Sequence, residues 1–245
     1  MSAGAGSTPA PDVRILAAGA WATAVADAFV ERLRAEPRLR VCLPTGDTPS
    51  PLYDELVVRE VRGDVSFAQA TVVLLDEWAD LPPGDPARCD VRLRRELLDR
   101  LAPPPRFVPI DVDGADDEAA ARAHDDVARG LDLAVLGLGM NGHVGFNEPG
   151  CRPDDPTRLV RLARSSREAA TARYGASRTP TGGITVGMAR LLEAREVWLL
   201  VTGERKAPIL RRALRDPVGP DSPASYLRRH ARLTVYADEA AAAEL

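Results

Sequence analysis

Asp76 and His143 are the side chains of this sequence best suited to moving protons, with Asn141 and Glu148 placed to support His143, and Gly46, Thr48 and Lys206 are suited to holding an anion. Histidine exchanges a proton near neutral pH, and an amide or carboxylate beside it fixes its tautomer. The loop GLGMNGHVGFNEPG (137–150) carries Asn141, His143 and Glu148 together. The competing reading is a loop held by Asx-type hydrogen bonds, with His143 filling a polar niche. Asp76 and Glu77 end the apolar run ATVVLLDEW (70–78). Partial desolvation there raises a carboxylate's basicity towards that needed to take a proton from carbon, whereas a helix cap or a solvated strand end is the simpler role. TGDTPSPLYDEL (45–56) sets Gly46 and Thr48 between a strand and a proline-bearing first helical turn. Backbone N–H groups and a hydroxyl bind phosphate at such a place, although Asp47 brings a second anion to it. In TGERKAPILRRAL (202–214), Lys206 opens a helix after a strand and can pair with the same phosphate, the alternative being a surface lysine.

The same loop spells G-x-G-x-x-G through Gly137, Gly139 and Gly142, directly after LDLAVL. A dinucleotide site would need a helix from the third glycine and an acidic strand end about 20 residues later. Pro149 and Pro153 break any such helix, and no strand leads to Asp154 or Asp155. The glycines are therefore expected to serve a sharp turn.

These loops need a scaffold, and the apolar runs supply one. Strands are predicted over 13–18, 40–44, 70–78, 107–112, 131–139, 196–203 and 232–238, with helices over 20–35, 50–62, 88–101, 116–129, 204–214 and 223–229. Such alternation predicts an α/β fold with a largely parallel sheet covered on both faces. Ligands in these sheets bind outside the carboxyl ends of the strands, where all the loops above lie. The segment 151–186 has weaker periodicity and is expected to form a flap over the site.

At 245 residues and 45% hydrophobic content the chain suits one substantial domain, expected over 11–245. Residues 1–10 read as a flexible tail without the pattern of a signal peptide. A formal charge of −4 with scattered basic residues excludes an electrostatic footprint for nucleic acid or an anionic membrane, leaving a small-molecule partner. No apolar run reaches the roughly 18 residues of a membrane span. Cys42, Cys89 and Cys151 have no C-x-x-C spacing, which argues against disulfides and zinc and fits a reducing cytoplasm.

Taken in order, LPTGDTPSPLYDEL, LLDEWADLP, LGLGMNGHVGFNEPG, ITVGMARLLEAREVWLLVTGERKA and SPASYLRRHARLTVYADEAA resemble the isomerising glucosamine-6-phosphate deaminases, relatives of the 6-phosphogluconolactonases. The resemblance runs from about residue 13 to the end. It implies a single-domain, three-layer Rossmann-like fold and conversion of glucosamine 6-phosphate to fructose 6-phosphate and ammonia. It further implies that His143 opens the pyranose ring with support from Asn141 and Glu148, that Asp76 is the enolisation base, and that Thr45, Gly46, Thr48 and Lys206 hold the phosphate. No metal or organic cofactor is implied. Where the family has R-x-x-N-x-R-[FY], this chain has SSREAATARYG, so Arg173 is the first choice for a further phosphate ligand and Arg167 the second.

The chain departs from the family at Asp47, where a small residue is usual, at Trp78, where tyrosine is usual, and after Cys89, where aromatics are lacking. It also lacks the C-terminal extension of the allosterically controlled hexamers, so that regulation is not expected; the expected state is a monomer or small homo-oligomer. A lactonase is the nearest rival, with an S-L-F-P-like ending where this chain has GFNEP, and a non-catalytic sugar-phosphate sensor, or a deaminase/isomerase for a different phosphorylated sugar, is the third possibility.

Overall fold

Three runs that are apolar at every position, VVL (72–74), LAVL and VWLLV, lie in strands buried on both sides, and the reason is visible in where alternate residues go. Val135, Trp198 and Leu200 join a core that includes Trp21, Phe29 and Tyr53. Ala134, Leu136, Val197 and Leu199 join a second core with Met188, Ile209 and Leu210 on the other face. Successive side chains of a strand point to opposite faces, so a strand covered twice must be apolar throughout.

The computed structural model describes residues 10–114 and 116–245; the tail expected at 1–10 lies, save for its last residue, outside the described residues. The elements in chain order are β1 (Asp12–Leu16), α1 (Ala18–Ala35), β2 (Arg40–Leu43), α2 (Ser50–Val61), β3 (Thr71–Leu74), β4 (Asp76–Trp78), α3 (Cys89–Glu96), β5 (Arg106–Val108), α4 (Asp117–Val127), β6 (Leu133–Gly137), β7 (Arg158–Arg161), α5 (Arg164–Tyr174), β8 (Gly182–Thr185), α6 (Met188–Glu193), β9 (Glu196–Val201), α7 (Ala207–Arg215) and β10 (Leu233–Asp238). Seven strands form one sheet in the order β1-β10-β9-β6-β2-β3-β5, all parallel. From β2 the chain builds outward through β3 to β5, then returns to β6 and builds the other way. The order reverses between β2 and β6, and a crevice opens there beyond the carboxyl ends. The 45–49 loop follows β2 and the 137–150 loop follows β6, so topology alone brings the two together.

The structure differs from the predicted elements in several places. The strand expected over 70–78 breaks at Leu75: β3 stays in the large sheet, and β4 turns into a separate sheet of order β4-β8-β7. Those strands pair antiparallel, with Asp76 opposite Thr185. Strand 107–112 stops at Val108 because Pro109 has no N–H for the ladder. Helix 88–101 ends at Glu96 in a 3-10 turn, and 223–229 is 3-10 rather than α. The flap segment contains β7, α5 and β8, none of which was expected as regular structure. Among the described residues no helix is long and apolar enough to cross a membrane.

Candidate active site

Beyond β6 the chain turns back sharply: Gly139 N–H donates to the His143 carbonyl at 2.9 Å and Gly142 N–H to the Gly139 carbonyl at 3.0 Å. A Cβ on Gly139 would lie 2.3 Å from the His143 ring, so its absence makes room for the imidazole. Gly142 adopts φ +90°, a conformation that side-chain-bearing residues rarely take. No helix follows, which agrees with the rejection of a dinucleotide turn; a bridge between Val144 and Asn147 closes the loop instead. Asn147 is fully buried. Its amide donates to the carbonyls of Val144 (3.1 Å) and Val186 (2.9 Å), fastening the loop to the chain just beyond β8.

That turn brings Asn141, His143 and Glu148 together. Glu148 Oε2 accepts from Asn141 Nδ2 at 2.7 Å and lies 3.3 Å from His143 Nδ1. The imidazole nitrogen is buried and off the line of a formed hydrogen bond, as is common for catalytic pairs before substrate tightens them. Glu148 Oε1 accepts from Ser166 Oγ of α5 at 2.5 Å. Burial opposes ionisation of Glu148, but His143, Ser166 and Asn141 together outweigh it and hold its pKa down to about 2. Glu148 is thus a fixed anion that can orient the imidazole and stabilise its protonated form.

The two acidic residues after β3 take different roles, because neighbours in a strand face opposite ways. Asp76 faces the cleft, 7% exposed. Burial pushes its pKa up to about 6, against the opposing pull of His143. Glu77 points away and is fully buried. It accepts backbone N–H bonds from Trp78 (2.8 Å), Cys89 (2.9 Å) and Asp90 (2.8 Å), capping the start of α3. The capping reading holds for Glu77, while Asp76 is the member of the pair that reaches the cleft.

Asp76 and His143 line a cleft of about 440 Å³ together with Thr45, Gly46, Asp47, Thr48, Asn141, Arg173 and Lys206. Gly46 takes φ +131° as the chain turns from β2 towards α2. Lys206 ends a 3-10 turn after β9 and reaches the Leu138 carbonyl. Burial, then the nearby charges of Arg173 and Arg205, lower its pKa to about 8. Arg173, in the last turn of α5, forms an ion pair with Asp47. The anion that looked repulsive in the sequence is therefore matched by the arginine expected to bind phosphate. Arg167 does not line the cleft; its Nε is buried without a partner.

Ser166 and Arg92 of the cleft escaped the sequence reading. Ser166 was hidden because α5 was not recognised as a helix; once it is one, Ser166 and Arg173 stand seven residues apart on a shared face. Arg92 is buried against the cleft, paired with Glu96 at 3.1 Å, with its guanidinium 4.2 Å from the centroid of the Tyr174 ring. Ser50 Oγ contacts both Glu96 Oε2 and the Gly46 carbonyl at 2.8 Å, so α3 is tied to the 45–49 loop. Cys89, noted in the sequence only for its lack of a partner, lies buried in the cleft wall. Trp78 also lines it, its ring 4.6 Å from that of Phe146 and its Nε1 donating to the Ala87 carbonyl at 2.9 Å.

Comparison with known proteins agrees with this arrangement. Residues 14–236 match the family of glucosamine-6-phosphate isomerases/6-phosphogluconolactonase. The glucosamine-6-phosphate deaminase of Rhodopirellula baltica is 40% identical over 227 residues, covering 90% of either chain. That of Streptomyces coelicolor is 38% identical over 228 residues, covering 90% of this chain and 87% of its own. A solved monomeric glucosamine-6-phosphate deaminase superposes with a TM-score of 0.90 at 27% identity, covering 96% of this chain and all (100%) of its own. The 6-phosphogluconolactonase of Thermotoga maritima shares the fold, with a TM-score of 0.75 at 20% identity over 94% of this chain and 100% of its own. By the extent of the match and the identity along nearly its whole length, this chain belongs to the glucosamine-6-phosphate isomerase/6-phosphogluconolactonase family.

Proposed function

We propose that the protein is an isomerising deaminase that converts glucosamine 6-phosphate to fructose 6-phosphate and ammonia. The observation that carries this reading is one cleft holding a raised-pKa carboxylate, Asp76, beside a carboxylate-backed imidazole, His143, with cationic and loop N–H groups further along it. Thr45, Gly46, Thr48, Lys206 and Arg173 bind the phosphate and fix the sugar's position, so its reacting carbons meet Asp76 without a search.

His143 takes the proton from the anomeric hydroxyl and returns it to the ring oxygen, opening the pyranose to the aldehyde. Glu148 stabilises the imidazolium in between, and Asn141 holds Glu148. Asp76, ionised at neutral pH yet more basic than an exposed aspartate, removes the proton from C2. The electron pair forms the C1–C2 enolamine as the aldehyde oxygen takes a proton from the substrate's own ammonium group, and the same carboxyl delivers the C2 proton to C1, leaving an iminium at C2. Water adds at C2 and ammonia departs, giving the ketose. Transfer between adjacent carbons by one carboxylate needs that group close to both, a demand that the place of Asp76 in the cleft wall suits.

The family also contains lactonases, whose reaction is hydrolysis and needs no carbon-bound proton moved. Asp76 and Glu148, each with its own supporting contacts, favour the isomerising reaction. We further propose that residues 11–245 act as one unit, as a cytoplasmic monomer or small homo-oligomer; three free, buried thiols fit a reducing compartment. Incubating the pure protein with glucosamine 6-phosphate should release ammonium and fructose 6-phosphate in equal amounts. Absence of turnover at high enzyme concentration, or faster hydrolysis of 6-phosphogluconolactone, overturns the assignment.

A further inference from the structure

Helix α5 crosses the cleft with one end at each half of the site. Ser166, Ala169 and Arg173 follow one another at intervals of three and four residues, which puts them on one helical face, and all three line the cleft. At 1.5 Å per residue the first and last are separated by about 10 Å along the axis, comparable with an extended hexose phosphate. At the N-terminal end, Ser166 Oγ donates to Glu148 Oε1. At the C-terminal end, Arg173 pairs with Asp47 in the 45–49 loop, and Tyr174 packs against Arg92 of α3.

The contacts on Glu148 are divided unevenly. Asn141 and His143 both address Oε2, and both belong to the same loop as Glu148. Ser166 addresses Oε1 and arrives from a different element. The terminal torsion of a glutamate is broad, so contacts to one oxygen leave the carboxylate free to rotate. A second contact on the other oxygen removes that freedom. This matters because His143 Nδ1 sits 3.3 Å from Oε2 but off the hydrogen-bond line, and a small rotation of the carboxylate decides whether the bond forms.

We propose that Ser166 is a positioning residue for Glu148, and through it for His143, and that α5 makes this position depend on the anion held by Arg173. The proposal rests on the reading of the site as that of a ring-opening isomerising deaminase. Without substrate, Arg173 is held by a monoanionic carboxylate, Asp47; substrate offers it a phosphate dianion instead. That exchange displaces one end of a three-turn helix, and the other end carries the hydroxyl that sets Glu148. Binding at the phosphate end thereby aligns the ring-opening pair at the other.

The test is steady-state kinetics with glucosamine 6-phosphate on wild type, Ser166→Ala, Ser166→Thr, Arg173→Ala and the double variant Ser166→Ala/Arg173→Ala. Loss of one hydrogen bond to a charged group predicts that Ser166→Ala lowers kcat about tenfold while KM stays within about twofold. Ser166→Thr, which keeps the hydroxyl, should recover most of kcat. In the Arg173→Ala background, the serine substitution should lower kcat/KM less than about twofold, because the helix no longer reports the phosphate. Wild-type kcat in Ser166→Ala, or a Thr variant as slow as Ala, overturns the positioning role. Full multiplication of the two losses overturns the coupling. A wild-type protein that does not turn over this substrate overturns the functional reading and the proposal with it, an outcome distinct from an active wild type with an unaffected serine variant.

Discussion

The carboxyl edge of the seven-stranded sheet and the small sheet with α5 face the same cleft from opposite sides, and they are built differently. The large sheet places the 45–49 loop after β2, the His143 loop after β6 and Lys206 after β9, while Asp76, two residues past β3, opens β4 of the small sheet. Each of the strands β2, β3, β6 and β9 is buried over most of its length. β7 is partly exposed along its length, and α5 lies over the cleft on a surface of serine, alanine and arginine. Asp76, His143 and Lys206 thus follow strands whose backbone is least able to open, whereas Arg173 sits on the side with fewer buried contacts. On the proposed reading, such a site keeps its proton-transfer geometry while the arginine side adjusts to the anion.

The division is sharpest for Asp76. Replacing it with Asn removes the carbon base, and kcat should fall about 10³-fold, the scale of general-base catalysis. Stability should move the other way. A carboxyl whose folded pKa is raised from 3.8 to about 6 makes the native state less stable. The penalty is fully present above pH 6, shrinks as pH falls towards 4 and vanishes below it. The shift corresponds to at most about 3 kcal/mol at neutral pH. Denaturant titration at pH 7.5 should find Asp76→Asn more stable than wild type, with the gain largely lost at pH 4. Equal stability at pH 7.5 would remove the argument that Asp76 is held in a strained electrostatic setting for its reaction.

On the other side of the cleft, Arg173→Ala should lower kcat/KM about 100-fold, largely through KM, as expected for loss of charge-assisted bonds to a phosphate. Arg167→Ala, whose side chain does not reach the cleft, should change it less than about twofold. A larger effect at Arg167 would reverse the assignment of the phosphate ligand. The pH dependence separates the groups further. With Asp76 at about 6 and Lys206 at about 8, kcat/KM should rise through pH 6 as the base ionises and fall above pH 8 as the ammonium loses its proton. Each limb approaches about tenfold per pH unit. Lys206→Arg, which does not titrate in this range, should abolish the alkaline limb and leave the acid limb in place.

The same division explains what could be read from the sequence. The inner strands of the large sheet, β2, β3, β6, β9 and β10, are visible as apolar runs, because a strand covered on both faces has few polar positions to confuse the pattern. His143, Glu148 and Asp76 were identifiable because each follows such a run. β8 was not: Gly182 and Gly183 interrupt it, and a Cβ on Gly183 would strike the Phe146 ring at 2.6 Å. The sequence signal for a strand was given up there to let an aromatic lie against the backbone. In α5 the inward positions are serine, alanine and tyrosine rather than leucine or valine, so the helical period carries no hydrophobic stripe. The break at Leu75 left no mark either, since both sheets demand buried residues at that point.

Asp47 is where the two sides meet, and among the cleft residues its substitution should give the smallest effect. Its carboxylate pairs with Arg173 across the mouth of the cleft, with both side chains 57% exposed. An exposed ion pair contributes little to stability, on the order of 0.5 kcal/mol, so the pair is not there to hold the fold together. Its consequence falls on binding: a phosphate arriving at Arg173 must displace a partner of the same sign and then remain near it. Asp47→Gly removes both obstacles while restoring a small residue after Gly46. KM for glucosamine 6-phosphate and the inhibition constant of inorganic phosphate should each fall about threefold, a few tenths to 1 kcal/mol, with kcat unchanged. Salt should weaken phosphate inhibition of both proteins, since Lys206 and Arg173 remain. A KM that rises instead would show that Asp47 serves the substrate directly, for example by meeting a cationic or hydroxyl group, and would shift it from a competitor of the phosphate to a determinant of which sugar is accepted.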